Sequence, residues 1–433
     1  MTLRILAIDD RDPASILMEV GKANAHEVVA LSSDDSEKTE LKAFLKQLFG
    51  AAETAFKGEP ENADTSHFNE FDLVLLDFGL TTLGGFGVRL TAEHLAGYIR
   101  ALTDVPYVVS LNKLGEVDFD LKYLLGDFDT RADLALNTEL LSTTGLWSDE
   151  AEDGAFCPWY WPRLNEAARR RRAQIDFVKQ HLDQPILESL GFPTEVIEQL
   201  SLQAIAFLSP EAEDGQANGP GSVRDVTFWQ HFRSSNRTLI RDDRCGLFGG
   251  PNAAIPETIE NVDDSIKMIA ARVVAGELDF WFRRDILGPQ RLLIDAPHLQ
   301  AKYRFRPGEG DKVDPKTWSA TVKESAPEFG LATEFYGVIA EFEFQQTHED
   351  VGLIWTDKPC FWLPKIENCQ AFTELAERHP MRHNNLVFCE DTRRFVDMRE
   401  AVRFETALGR GIDIRYIQKL AGYNYSPKSQ LAR

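Results

Sequence analysis

Residues 1–146 predict an α/β fold, a doubly wound parallel sheet, and residues 163–433 a following α+β domain, with 147–162 as the linker. Three observations carry that reading. Short apolar segments alternate with amphipathic helical ones through the first unit. The stretch FDLVLLDFGLTTLGG at 71–85 drives an unbroken apolar run into Asp77 and then breaks on glycines. Beyond WSDEAEDGAFCPWYWP at 147–162, which shifts from acidic to aromatic and proline-rich, helical and strand-like segments follow in mixed order.

The first strand is LRILAIDD at 3–10, an apolar run closed by Asp9 and Asp10. Pro13 opens an amphipathic helix reaching about Ala25, 26–32 reads as a second strand, and 37–56 has the i, i+3, i+4 spacing of a helix. A polar loop at 57–69 leads to the third strand, whose continuous hydrophobicity fits a parallel strand buried on both faces. An unpaired carboxylate is costly inside such a strand, so Asp77 belongs at its end. Ligands of open α/β sheets bind at the carboxyl ends of the strands, which makes Asp77 a site candidate; the alternative role is an N-cap of the next helix. A helix at 88–102, a strand PYVVSL at 106–111 closing on Ser110, and a short fifth strand at 132–136 complete the unit.

These residues resemble the receiver domain of bacterial two-component response regulators, a flavodoxin-like fold, over about the first third of the chain. The likeness rests on Asp9 and Asp10 closing the first strand, Asp77 closing the third, Gly85 eight residues on, and Ser110 closing the fourth. It implies that Asp77 accepts a phosphoryl group from a histidine kinase or phosphotransfer protein. It further implies Mg²⁺ held by Asp9, Asp10, Asp77 and the backbone carbonyl of Gly79, with the Ser110 hydroxyl on the phosphoryl group. Phosphoryl transfer asks a protein mainly to position groups and neutralise charge, and a hard cation takes oxygen ligands. The sequence departs from the family in two places. Where receivers carry a lysine, usually followed by proline, stand Asn137 and Thr138, and the position of the switch aromatic falls near Leu134. Asn137 carries no charge, so Lys113, three residues beyond Ser110, is the candidate to supply the missing charge-assisted contact.

A formal net charge of −22 over 433 residues argues against broad contact with nucleic acid or anionic membranes and favours small molecules, cations or protein partners. No apolar run approaches the length of a membrane span and the N-terminus enters a strand without a leader pattern, so a cytoplasmic protein is expected. Five scattered cysteines without a CxxC pair suggest neither a disulfide framework nor a zinc knuckle. In the second unit, 163–191 reads as helical. Arg169, Arg170, Arg171 and Arg172 point around all its faces and read as solvated or acid-paired. A polar loop spans 209–225; a helix is expected at 263–282 and strands at 291–294, 301–305, 336–344 and 352–355. His379 and His383 have i, i+4 spacing, but Pro380 spoils the helix that would aim both at one metal. No P-loop, GxSxG or HExxH is present. The tail at 411–429 is superficially similar to the end of tyrosine recombinases, and without their upstream catalytic array it reads as a helix–turn–helix-like structural hairpin.

The leading expectation is a phosphorelay signalling protein whose C-terminal unit acts on a downstream effector protein. A receiver joined to a large unfamiliar domain also looks like components of bacterial phage-defence phosphorelays. The rival is an enzyme gated by the receiver, its active site in 160–433, where Trp355, Asp357, Trp362 and Glu367 would suit a polar small-molecule cleft.

Overall fold

The computed structural model describes residues 3–9, 13–23, 27–31, 66–77, 79–80, 91–112, 132–142, 164–209, 223–235, 258–295, 298–299, 302, 351–356, 360–368, 370, 386–389, 394–404 and 414–418. Several expectations fall outside those residues: the helix at 37–56, the linker, the strand at 336–344, and Asp10, Gly85, Lys113, Asp357, His379 and His383. Of 301–305 only Lys302 is described, and it is helical.

Strands β1 (Arg4–Ile8), β2 (Glu27–Leu31), β3 (Leu73–Asp77), β4 (Val108–Asn112) and β5 (Leu134–Asn137) form a five-stranded sheet in the order β2-β1-β3-β4-β5, parallel at every pairing. The first unit is therefore α/β with an all-parallel sheet. Ile5 to Ile8 and Leu73 to Leu76 are almost fully buried, as expected of central strands covered on both faces. Helix α1 (Pro13–Ala23) turns Ile16 and Val20 inward and leaves Met18 in solvent. Helix α2 (Ala92–Leu102) starts where the Thr91 hydroxyl accepts the His94 N–H, and it stops where Thr103 Oγ1 donates to the Ile99 carbonyl at 2.6 Å. Its buried Ala92, Leu95, Ala96, Ile99 and Leu102 follow the helical period, and the helix packs on β3 and β4.

The next layer is helical. Helix α3 (Leu164–Gln180) lies along the later and longer α8; between them come α4 (Ile186–Ser189), α5 (Thr194–Ile197), α6 (Leu202–Leu208) and α7 (Phe228–Ser235). Gly191, at φ +73°, takes the left-handed turn after α4, and Phe192 then bonds back to the Leu187 carbonyl and enters the core. Helix α8 (Asp264–Trp281) begins where Asp263 accepts the Ser265 N–H at 2.8 Å. It is buried around most of its circumference and touches α2, α3 and α7. It ends in a π-turn, Phe282–Ile286, closed by the Leu287 N–H on the Phe282 carbonyl at 2.7 Å. Because α2 packs on the sheet and on α8, the buried residues of both layers form one continuous core, from Leu6 and Leu76 through Ile99 to Val274 and Trp281.

The remaining described elements are a ribbon of β6 (Leu293–Asp295) with β7 (Cys360–Trp362), helices α9 (Val351–Thr356) and α10 (Leu363–Glu367), and a second sheet. That sheet holds β8 (Leu386–Cys389), β9 (Arg394–Asp397), β10 (Ala401–Phe404) and β11 (Arg415–Gln418) in the order β10-β11-β8-β9. Two expectations are corrected here. Residues 352–355 belong to α9, not a strand, because a short apolar run packed beside α3 satisfies burial equally well as one helical turn. Residues 415–418 form β11, paired antiparallel with β10 and parallel with β8, so that part of the tail is not a helical hairpin. The helix expected at 263–282 and the strand expected near 291–294 are present with boundaries shifted by a residue or two.

Candidate functional site

Register fixes what meets at the carboxyl edge of the parallel sheet. Leu31, Ile8, Leu76, Ser110 and Ala135 form one row across the five strands. One residue further along, Asp77 ends β3 level with Leu111 and Leu136, and Asp9 directly follows β1 on the neighbouring strand. Asp9 is buried and Asp77 half-buried; the chain turns back at once, so that the Gly79 N–H donates to Asp77 Oδ2 at 3.3 Å. Both carboxylates predicted for this edge thus follow or end adjacent strands of the sheet.

Ser110 is placed differently. Strand β4 continues through Leu111 to Asn112, because its pairing with β5 extends to Asn112 opposite Asn137. Ser110 therefore does not close the strand. It lies buried in the row of Leu76, one position short of Asp77, and successive strand residues face opposite sides of a sheet. The residues ending β4 and β5 are both asparagines. Among the described residues no group of three or more His, Cys, Asp or Glu is close enough to hold a metal ion; Asp10 lies outside them.

A second concentration of charge lies where the sheet layer meets the helical layer. A cleft with about 920 Å³ of atom-free space, counted to the open solvent at its mouth, lies between α2, α3 and α8. Five arginines line it: Arg100 on α2, Arg170 and Arg171 on α3, Arg272 on α8 and Arg283 on the π-turn. Asp133 and Asp279 are the carboxylates of the lining. Arg100 pairs with Asp133 and donates to the Val105 carbonyl at 3.0 Å. Arg283 Nη2 donates to Asp279 at 2.5 Å, and Arg272 donates through Nε and Nη2 to Asp104 Oδ1 at 2.9 and 2.7 Å. Arg171 is 8 % exposed and donates to the Arg272 carbonyl at 2.9 Å; among the described residues no carboxylate comes within ion-pair distance of it. Burial pushes Arg171 down to about 10, and burial with the nearby Arg171 charge holds Arg100 well below the usual guanidinium range.

Sequence reading missed this cleft, although one signal was present. Arg171 shares the helical phase of Ile175, Val178 and Leu182, all of them buried, so one member of the arginine run faces inward. Arg169 and Arg172 are exposed, as expected for that run. Of the aromatic and acidic group proposed for a polar cleft, Trp355 lines this one, Trp362 packs on Phe192 in the core, and Glu367 pairs with Lys302 on the surface at 3.0 Å.

A buried acid–imidazole pair lies apart from the cleft. His298 Nδ1 is 2.6 Å from Asp295 Oδ1, its backbone N–H donates to the same oxygen at 3.0 Å, and Cys360 faces Asp295 across the β6–β7 ladder. The carboxylate fixes the imidazole orientation, and the ring meets Phe388 edge-on. Among the described residues no helix is long and apolar enough to cross a membrane. No family model, curated protein or solved structure matches the chain.

Proposed function

We propose that the chain is a phosphoacceptor signalling protein whose first unit is a flavodoxin-like receiver and whose Asp77 takes a phosphoryl group from a histidine kinase or phosphotransfer protein. The observation that carries this reading is the all-parallel order β2-β1-β3-β4-β5 with Asp9 and Asp77 adjacent at the carboxyl edge. That strand order is the flavodoxin-like one, and its ligands bind at this edge. Residues 163–433 serve as an α+β output domain that acts on an effector protein.

A carboxylate oxygen of Asp77 would attack the phosphorus of a phosphohistidine; the new O–P bond forms as the N–P bond breaks and the imidazole leaves. The donor set suits a hard cation, since Asp9 and Asp77 are neighbouring carboxylates and Gly79 folds back onto Asp77. Asp9, Asp10, Asp77 and the Gly79 carbonyl would hold Mg²⁺, which when bound neutralises phosphoryl charge. Asp9, beside the nucleophile, repels the phosphate in the cation's absence, so acceptance depends on the metal. Ser110, paired with Leu76 one position before Asp77, would offer its hydroxyl to the phosphoryl group. Lys113, the first residue beyond the end of β4, would supply the charge-assisted contact missing at Asn137.

Incubation with acetyl phosphate and Mg²⁺, read by intact mass, is the test. Wild type gains one phosphoryl group and Asp77→Asn gains none; equal mass gain in both removes Asp77 as acceptor. Lys113→Ala shortens the phosphoryl lifetime more than Asn137→Ala does, and the reverse order would rule out compensation by Lys113.

A further inference from the structure

We propose that the contact between Asp104, just beyond α2, and Arg272 of α8 is a clamp that phosphorylation of Asp77 opens, so that the sheet layer loosens its hold on the helical layer. This role rests on the phosphoacceptor reading of Asp77 and names the residues through which that site acts on the rest of the chain. The first ground is position. The Asp104 N–H donates to Asn69 Oδ1 at 2.9 Å, and Asn69 lies in the short turn of helix, Ser66–Glu70, that leads into β3. The C-terminal end of α2 therefore stands at the amino edge of the sheet. Its eleven residues span about 16 Å, the length of a five-residue strand, and the helix packs on β3 and β4. Its N-terminal end thus points toward the carboxyl edge, where Asp77 ends β3.

The second ground is electrostatic. A phosphoryl group on Asp77 adds negative charge at the edge toward which the positive end of the α2 dipole is turned, and the two attract. A helix moves as a rod, so a pull at one end is felt at Asp104. Arg272 Nε and Nη2 both donate to Asp104 Oδ1, at 2.9 and 2.7 Å. Bonds of that length are lost when the atoms part by about 1 Å. Asp104 keeps a cation nearby when they part, because Arg171 lies in the field of both Asp104 and Asp279 and donates to the Arg272 carbonyl at 2.9 Å.

The third ground is which contact gives way. Arg100, near the same end of α2, pairs with Asp133 ahead of β5, and that pair lies within the sheet layer, the two side chains 9 % and 22 % exposed. The Asp104–Arg272 pair crosses between the layers, and the Asp104 side chain is 34 % exposed, so water can take over its hydrogen bonds at little cost. In the cleft beside these pairs the junction is open rather than interlocked: Gly97 of α2 and Gly276 of α8 both line it, and neither carries a side chain to hold the other helix in place. A small displacement of α2 therefore has to break one ion pair, not the apolar core that Ile99 and Val274 share.

The test uses the full chain with acetyl phosphate and Mg²⁺, with intact mass and amide exchange read on the same sample. In wild type the phosphorylated protein is expected to exchange at least about fivefold faster than the free protein in the peptides carrying Asp104 and Arg272. Asp77→Asn should gain no mass and show no change in exchange. Arg272→Met, which removes the charge at similar length, should still take the phosphoryl group; its free form should already exchange at the faster rate, and phosphorylation should add nothing further. If Arg272→Met does not fold, Asp104→Asn takes its place with the same expectation. A wild type that gains no phosphoryl group on Asp77 overturns the phosphoacceptor reading and the clamp together. A wild type that gains it while exchange at Asp104 and Arg272 stays unchanged or slows overturns the clamp alone, as does an undiminished response in folded Arg272→Met or Asp104→Asn.

Discussion

Asp397 shows how far one neighbour can move a carboxyl group at the surface. Its oxygens accept from the Arg399 guanidinium at 3.0 and 2.9 Å and from the Arg399 N–H at 2.9 Å, which holds its pKa down to about 2. A depressed carboxyl contributes stability that is present above its unfolded value of 3.8 and is lost as pH falls through about 2. An NMR titration of Asp397 should give a midpoint near 2 that moves toward 3.8 in Arg399→Ala; an unmoved midpoint would assign the shift to another cause. Arg171 has the opposite sign. The cost of burying its charge is fully present below about 10 and is relieved as pH rises from there toward the ordinary guanidinium range, since the unfolded chain then binds more protons than the folded one. At this scale the sequence was legible wherever a polar residue interrupted an apolar run. Asp9 and Asp77 stood out because each carboxylate comes directly after an unbroken apolar run, Ile5 to Ile8 and Leu73 to Leu76. The end of the fourth strand was placed short because PYVVSL closes on its last apolar residue, whereas pairing with β5 carries the strand to Asn112. The inward turn of Arg171 required its helical phase to be read against Ile175 and Val178 rather than against the other arginines.

Among the elements, α8 connects the most neighbours, and its burial explains why its period was visible in sequence while its partners were not. A helix apolar on nearly every side must be enclosed, but periodicity cannot say by what. Here α2, α3 and α7 enclose it, and Trp281 at its end lies between Phe192 at 5.5 Å and Phe207 at 5.9 Å, its indole N–H on the Ala204 carbonyl at 3.3 Å. Leu278 is fully buried one turn earlier. Leu278→Ala should destabilise the protein by about 3 kcal/mol in a denaturant titration, within the usual range for such a truncation. A loss under about 1 kcal/mol would mean that the site collapses around the missing atoms or is less enclosed than described. The short elements were least legible. VGLIWT could satisfy its apolar side chains as a strand or as a turn of helix, and contact with α3 decided for the helix.

For the whole molecule the main consequence is that the two layers share a core. Helix α2 belongs to the parallel sheet by sequence order but gives one side to β3 and β4 and another to α8. Arg272 and Asp104 tie the same junction with paired hydrogen bonds. The described sheet and helical layers should therefore unfold in a single cooperative transition, with coincident fluorescence-free probes such as circular dichroism and amide exchange. Two separated transitions would show that the shared core contributes little to coupling. Residues 1–146 made alone should be less stable than the same sheet in the full chain, because the α2 surface that meets α8 would face water. The alternation of segments was enough to read the parallel sheet, but nothing local in the sequence encodes which helix covers the far side of α2.

Trp355 gives the junction an optical property of its own. Its ring is stacked on Phe282 at 5.7 Å, meets Phe177 edge-on at 6.5 Å, and forms part of the wall between the two layers. An indole enclosed in hydrocarbon emits at shorter wavelength than one in water, and its emission responds to an anion or a proton acceptor arriving at its N–H. The chain holds eight tryptophans, so the fraction of the emission lost in Trp355→Phe is the part that reports how dry the seam between the sheet and the helices is.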